Sequence, residues 1–218
     1  MRSTYRNRPN YRSTAFGLIT VLLAVLLLAA PAAAGNTAVY EVAENASSYS
    51  ADISFTNLDR FYLVSPGFLF GLGGDEALAG VSDFTLTNAA TGEAVTPEEV
   101  KGTLTFPKGD YTISYTAPIK DGDIYLKYPD KFDVVVIIPD PYTTGHMVLG
   151  PVTEKGAVAK TNLGTTVTYK GIEKTSLHIY DKNREFILYG FFGVWAVVVL
   201  ILFLRYRSLR KKQMKLDE

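Results

Sequence analysis

The run Phe186–Leu204, FILYGFFGVWAVVVLILFL, limits what this chain can become more than any other feature. It holds nineteen residues and no charge. As a helix rising ~1.5 Å per residue it extends about 28 Å, close to the roughly 30 Å of a bilayer's hydrocarbon core. A helix lying on a soluble domain carries a polar stripe, and this run has none on any face. Arg205, Arg207, Arg210, Lys211, Lys212 and Lys215 follow at once. Lys and Arg beside a span stay on the cytoplasmic side, so 186–204 reads as a transmembrane helix and 205–218 as a basic cytoplasmic tail. The first partner is the lipid bilayer.

The other end is also apolar. Arg2, Arg6, Arg8 and Arg12 precede AFGLITVLLAVLLLAA (residues 15–30), then Pro31 and the small residues Ala32-Ala33-Ala34 before Gly35. A basic start, an apolar centre and a small-residue cleavage site describe a secretory signal peptide at 1–34. An uncleaved signal anchor is the alternative. Either way residues 35–185 form an extracytoplasmic domain; with the signal peptide removed, the protein is a single-pass cell-membrane protein with its C-terminus inside.

Charge follows the same division. The chain has 22 basic and 22 acidic residues. Ten of the basic residues and only two of the acidic ones lie in the two ends, which leaves the domain with 12 basic and 20 acidic residues, a net of −8. Its only arginines are Arg60 and Arg184. Neutralising phosphates needs a basic face, so nucleic acid is excluded as a partner. There is no cysteine, hence no disulfide framework, thiolate metal site or lipidated cysteine.

Within 35–185 the pattern has period two, as half-buried strands require. Tyr111, Ile113 and Tyr115 alternate with Thr112, Ser114 and Thr116 in DYTISYT, residues 110–116. Similar runs occupy 50–57, 83–88, 103–106, 123–128, 165–170 and 176–180, while VVVII at 134–138 reads as a central strand buried on both faces. Turn residues separate them: Pro107-Lys108-Gly109-Asp110, Asp121-Gly122, Pro129-Asp130 and Pro139-Asp140-Pro141. Thr96-Pro97-Glu98-Glu99, with Gly102 beyond, predicts one short capped helical turn. The expected fold is mainly β: an antiparallel β-sandwich-like outer domain plus an N-terminal signal helix and a C-terminal transmembrane helix. Asp181 is placed to cap that helix, with almost no linker after the strand ending near Tyr180, so the domain sits close on the membrane.

Few residues have the chemistry of a site. His146 and His178 are the only histidines, too few for zinc unless carboxylates join them. A Ser-His-Asp triad needs no nearness in sequence, but no nucleophile-elbow glycine pattern supports one. Asp121 and Asp123, with Asp130, Asp133 and Asp140 downstream, are candidates for calcium ligands, although Asp-Gly is also an ordinary hairpin turn. Asn45-Ala46-Ser47 is an N-glycosylation sequon, which makes Asn45 a glycosylation candidate. FYLVSPGFLFGL, residues 61–72, is either two buried strands around Pro66-Gly67 or an exposed apolar loop touching the bilayer or a partner. Gly71-Leu72-Gly73-Gly74 lacks the third glycine of a dinucleotide fingerprint. No catalytic residue, cofactor site or resident metal follows from these residues.

Two stretches carry a resemblance: GDYTISYTAPIKDGDIYLKYPDKFDVVVIIP, residues 109–139, and LHIYDKNREFILYGFFGVWAVVVLILFL, residues 177–204. In the second, a strand runs almost directly into an aromatic, glycine-containing span. With the N-terminal segment this layout resembles a family of uncharacterised archaeal exported β-rich surface proteins with one C-terminal transmembrane helix. The resemblance implies an archaeal envelope protein and assigns no functional residue. The expected function is that of a non-enzymatic, membrane-anchored surface protein. It would act by interaction with an envelope protein or polymer, or as a structural component. An exported, membrane-anchored hydrolase with a site assembled from scattered residues is the alternative.

Overall fold

The computed structural model describes residues 35–66, 75–153, 156–162 and 164–214. The expected signal peptide at 1–34 and the second half of the apolar 61–72 stretch lie outside the described residues. Among the described residues, twelve strands precede one long helix. They are β1 (Asn36–Val42), β2 (Ser48–Tyr62), β3 (Val64–Pro66), β4 (Asp75–Ala77), β5 (Ser82–Asn88) and β6 (Glu98–Val100). After them come β7 (Thr103–Pro118), β8 (Asp123–Ile138), β9 (Tyr142–Thr143), β10 (Ala157–Thr161), β11 (Gly164–His178) and β12 (Tyr180–Asp181). The helix α1 is Asn183–Met214.

As expected the domain is mainly β: among the described residues the strands form one eight-stranded sheet, in the order β10-β11-β8-β1-β2-β7-β5 with β6 on the first part of β7, and the two-stranded pairs β9–β12 and β3–β4. The large sheet is mixed, because β1 runs parallel to β8 while its other partner, β2, is antiparallel. Several runs that read as separate strands are halves of one. Residues 103–106 and 110–116 both lie in β7, 123–128 and 134–138 both in β8, and 165–170 and most of 176–180 in β11. Pro107-Lys108-Gly109 and Pro129-Asp130 are therefore bends inside strands and not chain reversals. The ladders slip at these bends, between Phe55 and Arg60 of β2 and between Tyr169 and Lys174 of β11. Such bulges bend a strand and let one sheet turn a corner. Two carboxylates stabilise the corners: Asp110 accepts the amide of Asn57 at 2.9 Å and Asp133 that of Gly171 at 2.8 Å. Both amide donors have positive φ, 58° and 59°.

Bending brings strands that are not sheet neighbours into contact. Phe61 of β2 meets Tyr128 and Phe132 of β8 at ring-centroid distances of 6.2 and 6.5 Å. Phe55 stacks on Phe61 and Phe106. The two halves of the sheet thus enclose one core, in which Ile53, Ile113, Phe132, Val134 and Val136 have no exposed surface. Val135 and Ile137 are only half-buried, so β8 is central in its sheet, between β11 and β1, but fully covered on one face alone. Six tyrosines belong to the same core: Tyr40, Tyr49, Tyr111, Tyr115, Tyr128 and Tyr169. Tyr128 donates to the Tyr40 hydroxyl at 3.0 Å, and Tyr49 makes edge contacts with Tyr40 and Tyr115. Burial holds the Tyr40, Tyr115 and Tyr128 hydroxyls well above the usual phenol range, and pushes Tyr49 up to about 12.

The helical turn expected at Thr96–Glu99 is absent. Glu98–Val100 is instead the edge strand β6, paired with Thr103–Thr105. Lys101 and Gly102, with φ of 51° and 75°, make the tight hairpin between them. The pairing partner lies so near in sequence that a hairpin closes before a helix can propagate past its first turn. In the stretch that begins at Phe61, Phe61, Leu63 and Val64 are buried, while Tyr62 and Ser65 are half-buried.

Candidate functional site

The end of the domain from which α1 emerges gathers the residues with the most chemical definition. It is built outward from β12. Tyr180–Asp181 pairs with Tyr142–Thr143 of β9, and the amide of Lys182 donates to Pro141 O at 3.1 Å. Asp181 caps the helix as its position predicts, its Oδ1 accepting the amide of Asn183 at 2.8 Å. With Asp181 as the cap, Tyr180 is the residue before it and Glu185 the fourth position after it. Those are the two positions that an apolar staple usually joins. Here the staple is polar: the Tyr180 hydroxyl donates to Glu185 Oε1 at 2.6 Å. Burial raises the pKa of Tyr180, and the hydrogen bond to Glu185 adds to the rise. Lys182 pairs with Asp140 beside it.

From this root α1 runs straight on. Its segment Asn183–Arg207 is long and apolar enough to cross a membrane, and no residue of its most apolar window is buried against the domain. The helix does not stop at Leu204. It continues through the basic residues to Met214, because Arg, Leu, Lys, Gln and Met are strong helix formers and no glycine or proline intervenes. One turn past the apolar run, Arg207 lies over the ring of Phe203, 5.3 Å from its centroid.

Beside the root lies an open cleft of about 710 Å³, bordered by Asn45, Asp121, Tyr142, Asp181 and Arg184 among others. Three connections meet here: β1 to β2, β7 to β8, and β12 to α1. Asn45, exposed in the first of them, accepts the amide and hydroxyl of Ser47 at 3.1 and 2.8 Å. The sequon thus forms a side-chain turn at the cleft.

The acidic residues proposed for calcium are not brought together. Asp121 and Gly122, with φ of 56° and 82°, are the turn between β7 and β8. Asp123 begins β8, and its Oδ1 lies 2.8 Å from Nδ1 of His178. Asp130 accepts the amide of Lys131, Asp133 that of Gly171, and Asp140 pairs with Lys182. Among the described residues no three His, Asp or Glu side chains form a metal-binding group. The Asp123–His178 pair spans two strands far apart in sequence, and nothing in the local pattern announced it. The Asp123 carboxylate fixes the imidazole beside Gly122, where a Cβ would lie 2.5 Å from Ile179 O and 3.2 Å from His178 Cε1.

His146 is elsewhere, in the connection from β9 to β10. Its Nδ1 accepts the amides of Val148 and Leu149, both at 3.2 Å. Its ring meets those of Tyr180 and Tyr189 at 6.4 and 6.2 Å. By accepting both amides it organises a loop against the helix root. Compared with known proteins, the chain matches no family model and no curated protein.

Proposed function

We propose that this chain is a membrane-anchored cell-surface protein of non-enzymatic type, acting by interaction with an envelope protein or polymer or as a structural part of the envelope. The observation that carries the reading is the helix root. A β domain that ends in β12, a capping Asp181 and an uninterrupted apolar helix has no stalk. Its root end is held against the surface that α1 crosses. The remaining polar pairs support a structural economy: Asp110, Asp133 and Asp123 each engage a bend or turn of the sheet. In this reading residues 1–34 direct export, 35–185 face outward, and the basic end of α1 faces the cytoplasm. Six basic residues after Leu204 oppose translocation, at about 2.5–3.5 kcal/mol for each charge forced to the bilayer centre.

The topology is tested by protease added to intact cells carrying an epitope after Glu218. The domain should be digested and the epitope protected. Loss of the epitope while cytoplasmic markers survive would refute the orientation. The interaction role is tested by cross-linking on intact cells: an adduct formed through the domain end far from the root supports it, and hydrolysis of a defined peptide or glycan substrate by the purified chain would overturn it.

A further inference from the structure

Outside α1, large exposed apolar side chains are scarce among the described residues, and two of them are consecutive. Met147 is 88% exposed and Val148 60% exposed. They form the tip of the 145–150 loop, which is locked on itself. The Gly145 amide donates to Gly150 O at 2.7 Å and the Gly150 amide to His146 O at 2.9 Å. The amides of Val148 and Leu149 are taken by the His146 imidazole. The tip thus presents apolar side chains while most of its backbone donors are satisfied internally. Hydrocarbon demands both properties of any segment that enters it.

The loop's position names its partner. The His146 ring touches Tyr189, three residues inside the apolar run that starts at Phe186. Three residues of helix are about 5 Å, the shallow end of the 5–10 Å to which interfacial elements sink. The rear of the loop is fixed to the root: a Cβ on Gly150 would lie 2.5 Å from the Tyr180 ring. We infer that the 145–150 loop is a second, monotopic membrane contact, with Met147 and Val148 inserted in the outer leaflet beside α1. This contact rests on the reading of α1 as a membrane span, and it adds a function for the loop. With a helix and a loop both seated, the domain cannot swivel freely about α1.

The lack of cysteine allows a direct test. Single cysteines replace Met147, Phe192 in the span and Val100 in the β6–β7 hairpin, all exposed positions. Each full-length variant is labelled with a nitrobenzoxadiazole fluorophore and reconstituted in phosphatidylcholine vesicles, with or without lipid spin-labelled near the headgroup end of its acyl chain. Quenching at 147 should come within a factor of about two of that at 192, with emission blue-shifted and 100 unaffected. If 192 is quenched and 147 behaves like 100, the loop contact is wrong and the span stands. Absence of quenching at 192 overturns the anchor and the loop contact together. Equal quenching at 100 and 147 also overturns the inference, because the domain would then be lying on its side.

Discussion

The hydroxyl of Tyr180 donates to the Glu185 carboxylate at 2.6 Å, joining the last strand of the sheet to the first turn of α1. Tyr180 is 3% exposed and Glu185 half-buried, so the bond is partly shielded from water. Its place across the cap sets the angle at which the helix leaves the domain. Glu185 also lies where a carboxylate complements the positive end of the helix dipole.

Removing this bond should loosen the root without unfolding the sheet. For Tyr180→Phe we expect a loss of about 1 kcal/mol, read as roughly fivefold faster hydrogen exchange at the amides that follow Glu185. Glu185→Gln keeps an acceptor and should show a smaller change. Unchanged exchange in Tyr180→Phe would mean that backbone pairing and the Asp181 cap alone hold the root.

Two glycines of similar backbone conformation separate strain from crowding. At Gly92 (φ 71°) a Cβ would enter open space, whereas at Gly102 (φ 75°) it would lie 2.4 Å from Leu63 O and 2.8 Å from Ala77 Cα. Gly92→Ala should cost about 1 kcal/mol, the left-handed penalty alone. Gly102→Ala should cost roughly 3 kcal/mol, because backbone must move on a second strand pair. Urea unfolding in detergent measures both, and equal costs would contradict the packing of β3–β4 on the β6–β7 turn.

The tyrosine core predicts an alkaline limit to stability. A phenol whose pKa is raised on folding keeps its proton longer in the folded chain than in the unfolded one. The stability linked to it is therefore complete below the ordinary value of about 10 and is lost as pH rises through the folded value. For Tyr49, pushed up to about 12 by burial, the loss runs from about pH 10 to 12 and amounts to about 3 kcal/mol. Unfolding free energy measured across this window should fall less steeply in Tyr49→Phe than in the parent chain. Parallel curves would show that Tyr49 does not titrate with the fold.

What the sequence determined on its own is what short-range physics controls. Nineteen uncharged residues admit a helix long and apolar enough to span a bilayer, Asp181 before them is a cap, and alternation at 110–116 is a strand whichever strand pairs with it. Asp121-Gly122 is a turn because both residues tolerate positive φ. Tertiary structure decided whether a proline- and glycine-bearing stretch reverses the chain or only bends it. Pro107-Lys108-Gly109 and Pro129-Asp130 carry the composition of turns, yet β7 keeps β2, and β8 keeps β11, as neighbour on both sides of the bend. That outcome depends on ladder bonds to strands far away in sequence, so no local window holds it. The parallel seating of β1 on β8 is settled in the same way. So are the pairs that define the root end, His178 with Asp123 and His146 with Tyr189. Each joins residues that share no periodicity and meet only because the folded sheet and the helix that leaves it bring them together.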